Sequence, residues 1–219
     1  MGGGAFPIDL LLFGMIAAFL VLRLRSILGR RDGLEPAPGQ TRSAARAPGP
    51  VIDAVAEPAS VPGRPLPEPG SAVALTVAQM QHVDPAFDPS RFLFGAEAAF
   101  RLIVAAFAAA DRDGLRPLLS PGTFEVFEAA IVQREADRHT LTSEIRAIPE
   151  ASITEARLSG SQAEMTVRFV SDQVSQTLDH EGRYVAGTDA VTELHDDWTF
   201  GRDLRSSDPA WRLLQARSA

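Results

Sequence analysis

The side chains able to do acid–base or metal chemistry are few and scattered along this chain. Its four histidines, His82, His139, His180 and His195, are too far apart for a helical or short-loop metal motif. One tight titratable cluster exists, His195 with Asp196 and Asp197, and it reads as the polar, solvated turn before a strand rather than as a ligand set. Cysteine is absent, which excludes disulfides, thiolate nucleophiles and sulfur-ligated zinc. All 21 basic residues are arginine, so Schiff-base catalysis, a P-loop and a lysine general base are excluded as well. No GxSxG elbow or spaced carboxylate pair accompanies the serines and acids. In an enzyme, Asp172, His180 or His195 would serve as general base, marked by burial in an apolar cavity and a displaced pKa. No metal site and no cofactor is expected.

A second kind of candidate is aromatic. The run Asp197-Trp198-Thr199-Phe200, followed by Ala210-Trp211-Arg212-Leu213, places large apolar side chains on two adjacent strands. They are either plain core or the wall of a cavity between a curved sheet and a helix. The pocket predicted on the second reading is formed by Phe100, Val104, Phe169, Trp198 and Trp211.

These residues need elements to position them. Asp88 followed by Pro89 starts a helix, in which Leu93, Ala96, Phe100, Ile103, Val104 and Phe107 recur at helical spacing. Gly95 inside it is expected to permit close packing with another element. A short helix around 115–119 follows an Asp113-Gly114 turn. A longer one starts at Ser120-Pro121, its core face Phe124, Phe127, Ile131 and Val132, its charged end Arg134, Glu135, Asp137 and Arg138. Beyond residue 140 the period becomes two: Ala163, Met165, Val167 and Phe169 alternate with polar residues, and Ser159-Gly160-Ser161 turns back to a strand over 153–158. Further strands are predicted over 191–204 and 210–215. The fold class is therefore α+β, with N-terminal helices packed on a curved four-stranded antiparallel sheet.

Upstream the chain changes character. Residues 6–22 are apolar with one charge, Asp9, and reach as far as Leu28. That is the lower limit for a bilayer-spanning helix, here an uncleaved signal anchor. Arg23, Arg25, Arg30 and Arg31 form its positive flank, which by the positive-inside rule puts the rest of the chain in the cytoplasm. Residues 36–69 hold nine of the 16 prolines and show no periodic pattern. They read as a semi-extended linker that keeps the C-terminal domain near the membrane. The organisation is thus a membrane anchor over 1–31, a Pro-rich linker over 32–74 and a domain over 75–219. Residues 1–50 carry six arginines against three acids, whereas residues 92–219 carry 13 against 20, which argues against nucleic acid as a partner.

The stretches FDPSRFLFGAEAAFRLIVAAFAAAD, LRPLLSPGTFEVFEAAIVQRE and DDWTFGRDLRSSDPAWRLL closely resemble the Tim-forty-four-like family, over roughly residues 75–217. The resemblance implies a nuclear-transport-factor-like, cystatin-like cone around an apolar pocket. It also implies a non-enzymatic, inner-membrane-tethered adaptor, in a bacterium a single-pass protein with its domain in the cytoplasm. Translocase, chaperone or assembly-complex proteins, or a lipid acyl chain, are its expected partners. The chain has a Pro-rich spacer where the family's mitochondrial member carries a long charged segment. A small-molecule-binding protein or enzyme using the same pocket is the competing expectation.

Overall fold

A computed structural model describes residues 64–218 of the chain. The expected anchor, its flank Arg23, Arg25, Arg30 and Arg31, and most of the linker lie outside the described residues. Among the described residues no helix is long and apolar enough to cross a membrane.

Four helices come first: α1 (Ala72–Val83), α2 (Pro89–Ala108), α3 (Arg112–Leu115) and α4 (Pro121–Ala136). Each begins where a short polar side chain takes over an unpaired backbone N–H. Ser71 Oγ accepts from Ala74 N–H, Asp88 Oδ1 from Ser90 and Arg91 N–H, Asp111 Oδ1 from Gly114 N–H, and Ser120 Oγ from Thr123 N–H. Asp113 and Gly114 lie inside α3, so the turn expected there is a helical turn capped by Asp111, and the helix ends at Leu115 rather than extending to 119. Helix α1 precedes the region whose pattern is plainly helical, and only Val77 and Met80 of it are buried. Two apolar contacts in 12 residues leave a weak periodic signal.

Helix α2 buries Phe92, Leu93, Ala96, Phe100 and Ile103 on one side. Its other side is also apolar, yet exposed: Phe94 is 79% and Leu102 58% accessible. Gly95 lies on that outer side with nothing within 4 Å of where a Cβ would stand, so it permits no close packing within the described domain. In α4, Phe124 and Ile131 are buried while Val132 is 52% exposed. Arg134 is not part of a solvated end. It donates from Nη2 to the Phe107 and Ala108 carbonyls at 2.7 and 3.3 Å and lies over the Phe107 ring, closing the C-terminus of α2. Burial lowers its pKa from the usual guanidinium value.

The four strands are β1 (Thr140–Ser159), β2 (Gln162–Leu178), β3 (Tyr184–Asp203) and β4 (Arg212–Ser218), all antiparallel in the order β1-β2-β3-β4. The first three are much longer than the alternation suggests. Register shifts in β1 between Ile145 and Ala147, Ala147 and Glu150, and Ile153 and Glu155 bend the sheet and scramble its period-two pattern. The bend places the helices against the concave face, where Ala163, Met165, Val167 and Phe169 of β2 line up. A main-chain link holds β4 to the helices, with Leu213 N–H donating to Leu118 O and Ser120 N–H donating to Leu213 O. Behind it, Arg202 Nη2 meets Asp84 Oδ2 at 3.2 Å, tying β3 to the α1–α2 turn.

Candidate functional site

Parity along β3 decides which side chains enter the cone. Phe200 pairs with Met165, Trp198 with Val167 and Asp196 with Phe169, so all three point to the concave face. His195 and Asp197 have the opposite parity and point to the convex face.

Four of the five predicted pocket residues join one aromatic row. Phe100 stacks on Phe169 with centroids 4.4 Å apart, and Trp198 meets Phe100 edge-on at 4.6 Å. Trp198 continues to Phe200 at 6.3 Å and Phe200 to Phe92 at 6.2 Å. Trp211 packs on Phe92 and Phe87 at 4.7 and 5.7 Å. Val104 is partly buried and packs against the core that contains these rings. The rings occupy the space expected to form a cavity, since aromatic pairs at these separations are in contact. Phe100 and Phe169 are fully buried and Trp198 is 6% exposed.

Concave spaces occur elsewhere. A groove of about 150 Å³ lies on the convex face among Glu155, Arg157, Glu164, Thr166, Thr199, Gln215 and Arg217. Another of about 250 Å³ lies between the start of α4 and the β3–β4 turn and includes Ser120, Pro121, Arg202 and Arg212. The first is lined mostly by polar and charged side chains, and the second mixes these with apolar surface from residues such as Pro121, Ala163 and Leu214. Arg212 Nη2 donates to Asp208 Oδ2 at 2.8 Å.

The three predicted general bases lie outside the apolar interior. His180 is exposed in the β2–β3 turn. His195 Nε2 sits 3.0 Å from Glu193 Oε1, both largely solvated. Asp172 pairs across the sheet with Glu193 and is partly exposed. His82 is exposed on α1 and His139 partly buried after α4. Among the described residues no three His, Asp or Glu side chains are grouped to hold a metal ion.

Asp196, a member of the His195–Asp197 cluster, is a partly buried titratable group that faces the concave side. It faces Phe169 on one side and Ser218 on the other. Burial pushes its carboxyl up to about 6, and repulsion from Asp197 adds to this, while a Ser218 hydrogen bond and nearby His195 oppose it. The signal that could have found it is parity: Asp196 is two residues from Trp198 and four from Phe200. Its neighbour Asp197 is held outward by Arg168, whose Nε and Nη2 each donate at 2.9 Å. Further in, Gln173 Nε2 donates to Ser171 Oγ at 2.8 Å, making a small buried polar floor beside the aromatic row.

Fold and site together define an α+β domain of helices on an open four-stranded antiparallel sheet, its cone filled by aromatic side chains. The Tim44-like domain family matches residues 73–218, and the chain belongs to that family. No curated protein sequence matches the chain. Among solved structures it is similar to the intermembrane space region of the chloroplast protein ARC6, at 12% identity and a TM-score of 0.44 over 61% of this chain and 98% of that one. It is similar also to a putative dehydratase of the NTF2-like family from Streptomyces avermitilis, at 11% identity and a TM-score of 0.35 over 60% and 96%. A conserved protein from Planctomyces limnophilus aligns at 20% identity and a TM-score of 0.33 over 55% and 89%.

Proposed function

We propose that this protein is a non-enzymatic adaptor, tethered to a bacterial inner membrane through residues 6–28, whose cytoplasmic Tim44-like domain captures a segment of another protein. The observation that carries the reading is family membership across residues 73–218. The filled cone supports recognition on the surface: an internal ligand would have to displace Phe100, Phe169 or Trp198. The outer side of α2 supports it too, because Phe94 and Leu102 are large apolar side chains held in solvent on a rigid helix. In this reading the Pro-rich linker supplies reach and keeps the domain concentrated at the membrane.

The test is brief crosslinking in native membranes, gentle solubilisation of the full-length protein and identification of what co-purifies, with the chain lacking residues 1–31 as control. The expected result is a defined set of inner-membrane, translocase or chaperone proteins that is lost without residues 1–31. Recovery of a lipid or small molecule alone would overturn the adaptor reading.

A further inference from the structure

Three stretches of sheet edge face outward, and two are met from outside the sheet by hydrogen bonds at a few residues. On β1, the Arg64 guanidinium donates to the Ile148 and Pro149 carbonyls at 2.7 and 3.0 Å, beside a proline and two register shifts. On β4, Leu213 exchanges main-chain hydrogen bonds with Leu118 and Ser120, and Thr123 Oγ1 donates to Leu214 O. The third differs. Strand β4 pairs only with Asp196–Gly201 of β3, so Tyr184–His195 has no strand on its outer side among the described residues, although register shifts over 188–192 and 184–186 and a positive φ at Gly187 interrupt it.

That free edge has the composition of a strand acceptor. Tyr184, Val185 and Val191 are 58%, 46% and 58% exposed. The surrounding chain, residues 140–150 and 170–197, holds nine carboxylates against two arginines, although Asp196 turns inward and Asp197 is joined by Arg168. Both arginines are engaged, Arg146 with Glu144 and Arg183 with Asp179. Asp172 and Glu193 stand directly opposite each other across the β2–β3 ladder, a like-charge pair whose Glu193 Oε1 lies 3.0 Å from His195 Nε2 and which an added cation would relieve.

We propose that β3 between Tyr184 and His195 receives an extended, cationic segment of a partner protein as an added strand, with its basic side chains beside Glu193 and reaching toward Asp172 one strand further in, and its apolar ones on the opposite lane. This deepens the adaptor reading and rests on it for the expectation that the client is a protein. Main-chain hydrogen bonds supply affinity in strand addition and alternate side chains supply specificity. The incoming strand would lie end to end with β4, next to Leu194 and Thr192 on the concave side. The acidic edge also selects against a second copy of this chain, because paired copies would bring Asp189 and Glu193 of each against the same charges.

The test uses the full-length protein and a peptide of about ten residues alternating arginine with valine. Binding is followed by fluorescence anisotropy and by backbone hydrogen exchange. The expected result is saturable binding below ~1 mM, with new amide protection in 184–195. The Asp172→Asn/Glu193→Gln double variant should weaken binding roughly tenfold while circular dichroism stays unchanged. N-methylation of alternate peptide residues in one phase should abolish binding and in the other leave it intact, because only one edge of an added strand is bonded. Equal binding of the glutamate–valine peptide, protection located on α2, or concentration-dependent self-association in place of binding would each overturn the proposal. The adaptor reading is judged separately. If membrane partners still co-purify with an Asp172→Arg/Glu193→Arg protein, that reading stands and the strand-addition proposal falls.

Discussion

The two ends of the long sheet are built from the same strands for opposite purposes. At one end, β2 and β3 present Met165, Val167, Phe169, Trp198 and Phe200 to the helices, and every one of them is buried. At the other, β3 presents Tyr184, Val185 and Val191 to solvent amid a surplus of carboxylates. The transition falls within a few residues, at Asp196, Ser171 and Gln173, where the lane facing the helices turns from aromatic to polar. The contrast separates packing from exposure: the first end makes the core, and the second carries exposed apolar and acidic side chains that the core does not require.

The comparison is broken most severely from the aromatic end. Phe100→Ala or Phe169→Ala is expected to cost about 3–5 kcal/mol, read from urea denaturation midpoints. A loss under about 1 kcal/mol would mean that the cone is not packed as described. Trp198→Ala should fall in the same range and Trp211→Ala below it, because Trp211 is only partly buried. If either tryptophan variant lost partner capture more than it lost stability, the aromatic row would be a binding surface as well as core.

Asp196 sharpens the boundary between the ends. Its folded carboxyl titrates near 6, above the ordinary carboxylate value, so the folded state binds this proton more tightly than the unfolded chain does. Stability should therefore fall as pH rises from about 4 to 6, with the burial penalty fully present above that window. Asp196→Asn is expected to stabilise by about 1–2 kcal/mol at pH 7.5 and to match the parent near pH 4. A constant difference across that range would place Asp196 in solvent.

Smaller effects are expected at the periphery. Asp88→Ala removes the acceptor for Ser90 and Arg91 N–H and should cost about 1 kcal/mol. At the acidic end, Asp172→Asn/Glu193→Gln should leave stability within about 0.5 kcal/mol or raise it slightly, since it relieves a like-charge pair. A large loss there would make the acidic end structural and erase the contrast.

Legibility followed the strength of local signals. The caps at Asp88 and Ser120 and the turn at Gly160 were readable because each is a short-range backbone requirement met by a particular residue type. Helix α1 was not, with two buried side chains to mark it. The order and antiparallel pairing of the strands followed from their turns, but strand lengths did not, because register shifts hide the alternation of β1. At the site, Phe100, Phe169 and Trp198 were identified as neighbours. Whether they line a space or fill it depends on ring-to-ring distances of 4.4–6.2 Å that no sequence pattern encodes. Residue type alone points to His195 as the base, whereas parity along β3 turns Asp196 inward.

By itself the sequence determined the α+β class, the family and the exclusion of thiol, lysine and sulfur–zinc chemistry, because composition and local periodicity suffice for each. Only the tertiary structure decided that the cone is filled, that Asp196 rather than His195 turns inward and that β3 keeps an open edge. Those outcomes depend on which strands pair, over what length and in what register, and that is settled by side chains meeting from distant parts of the chain.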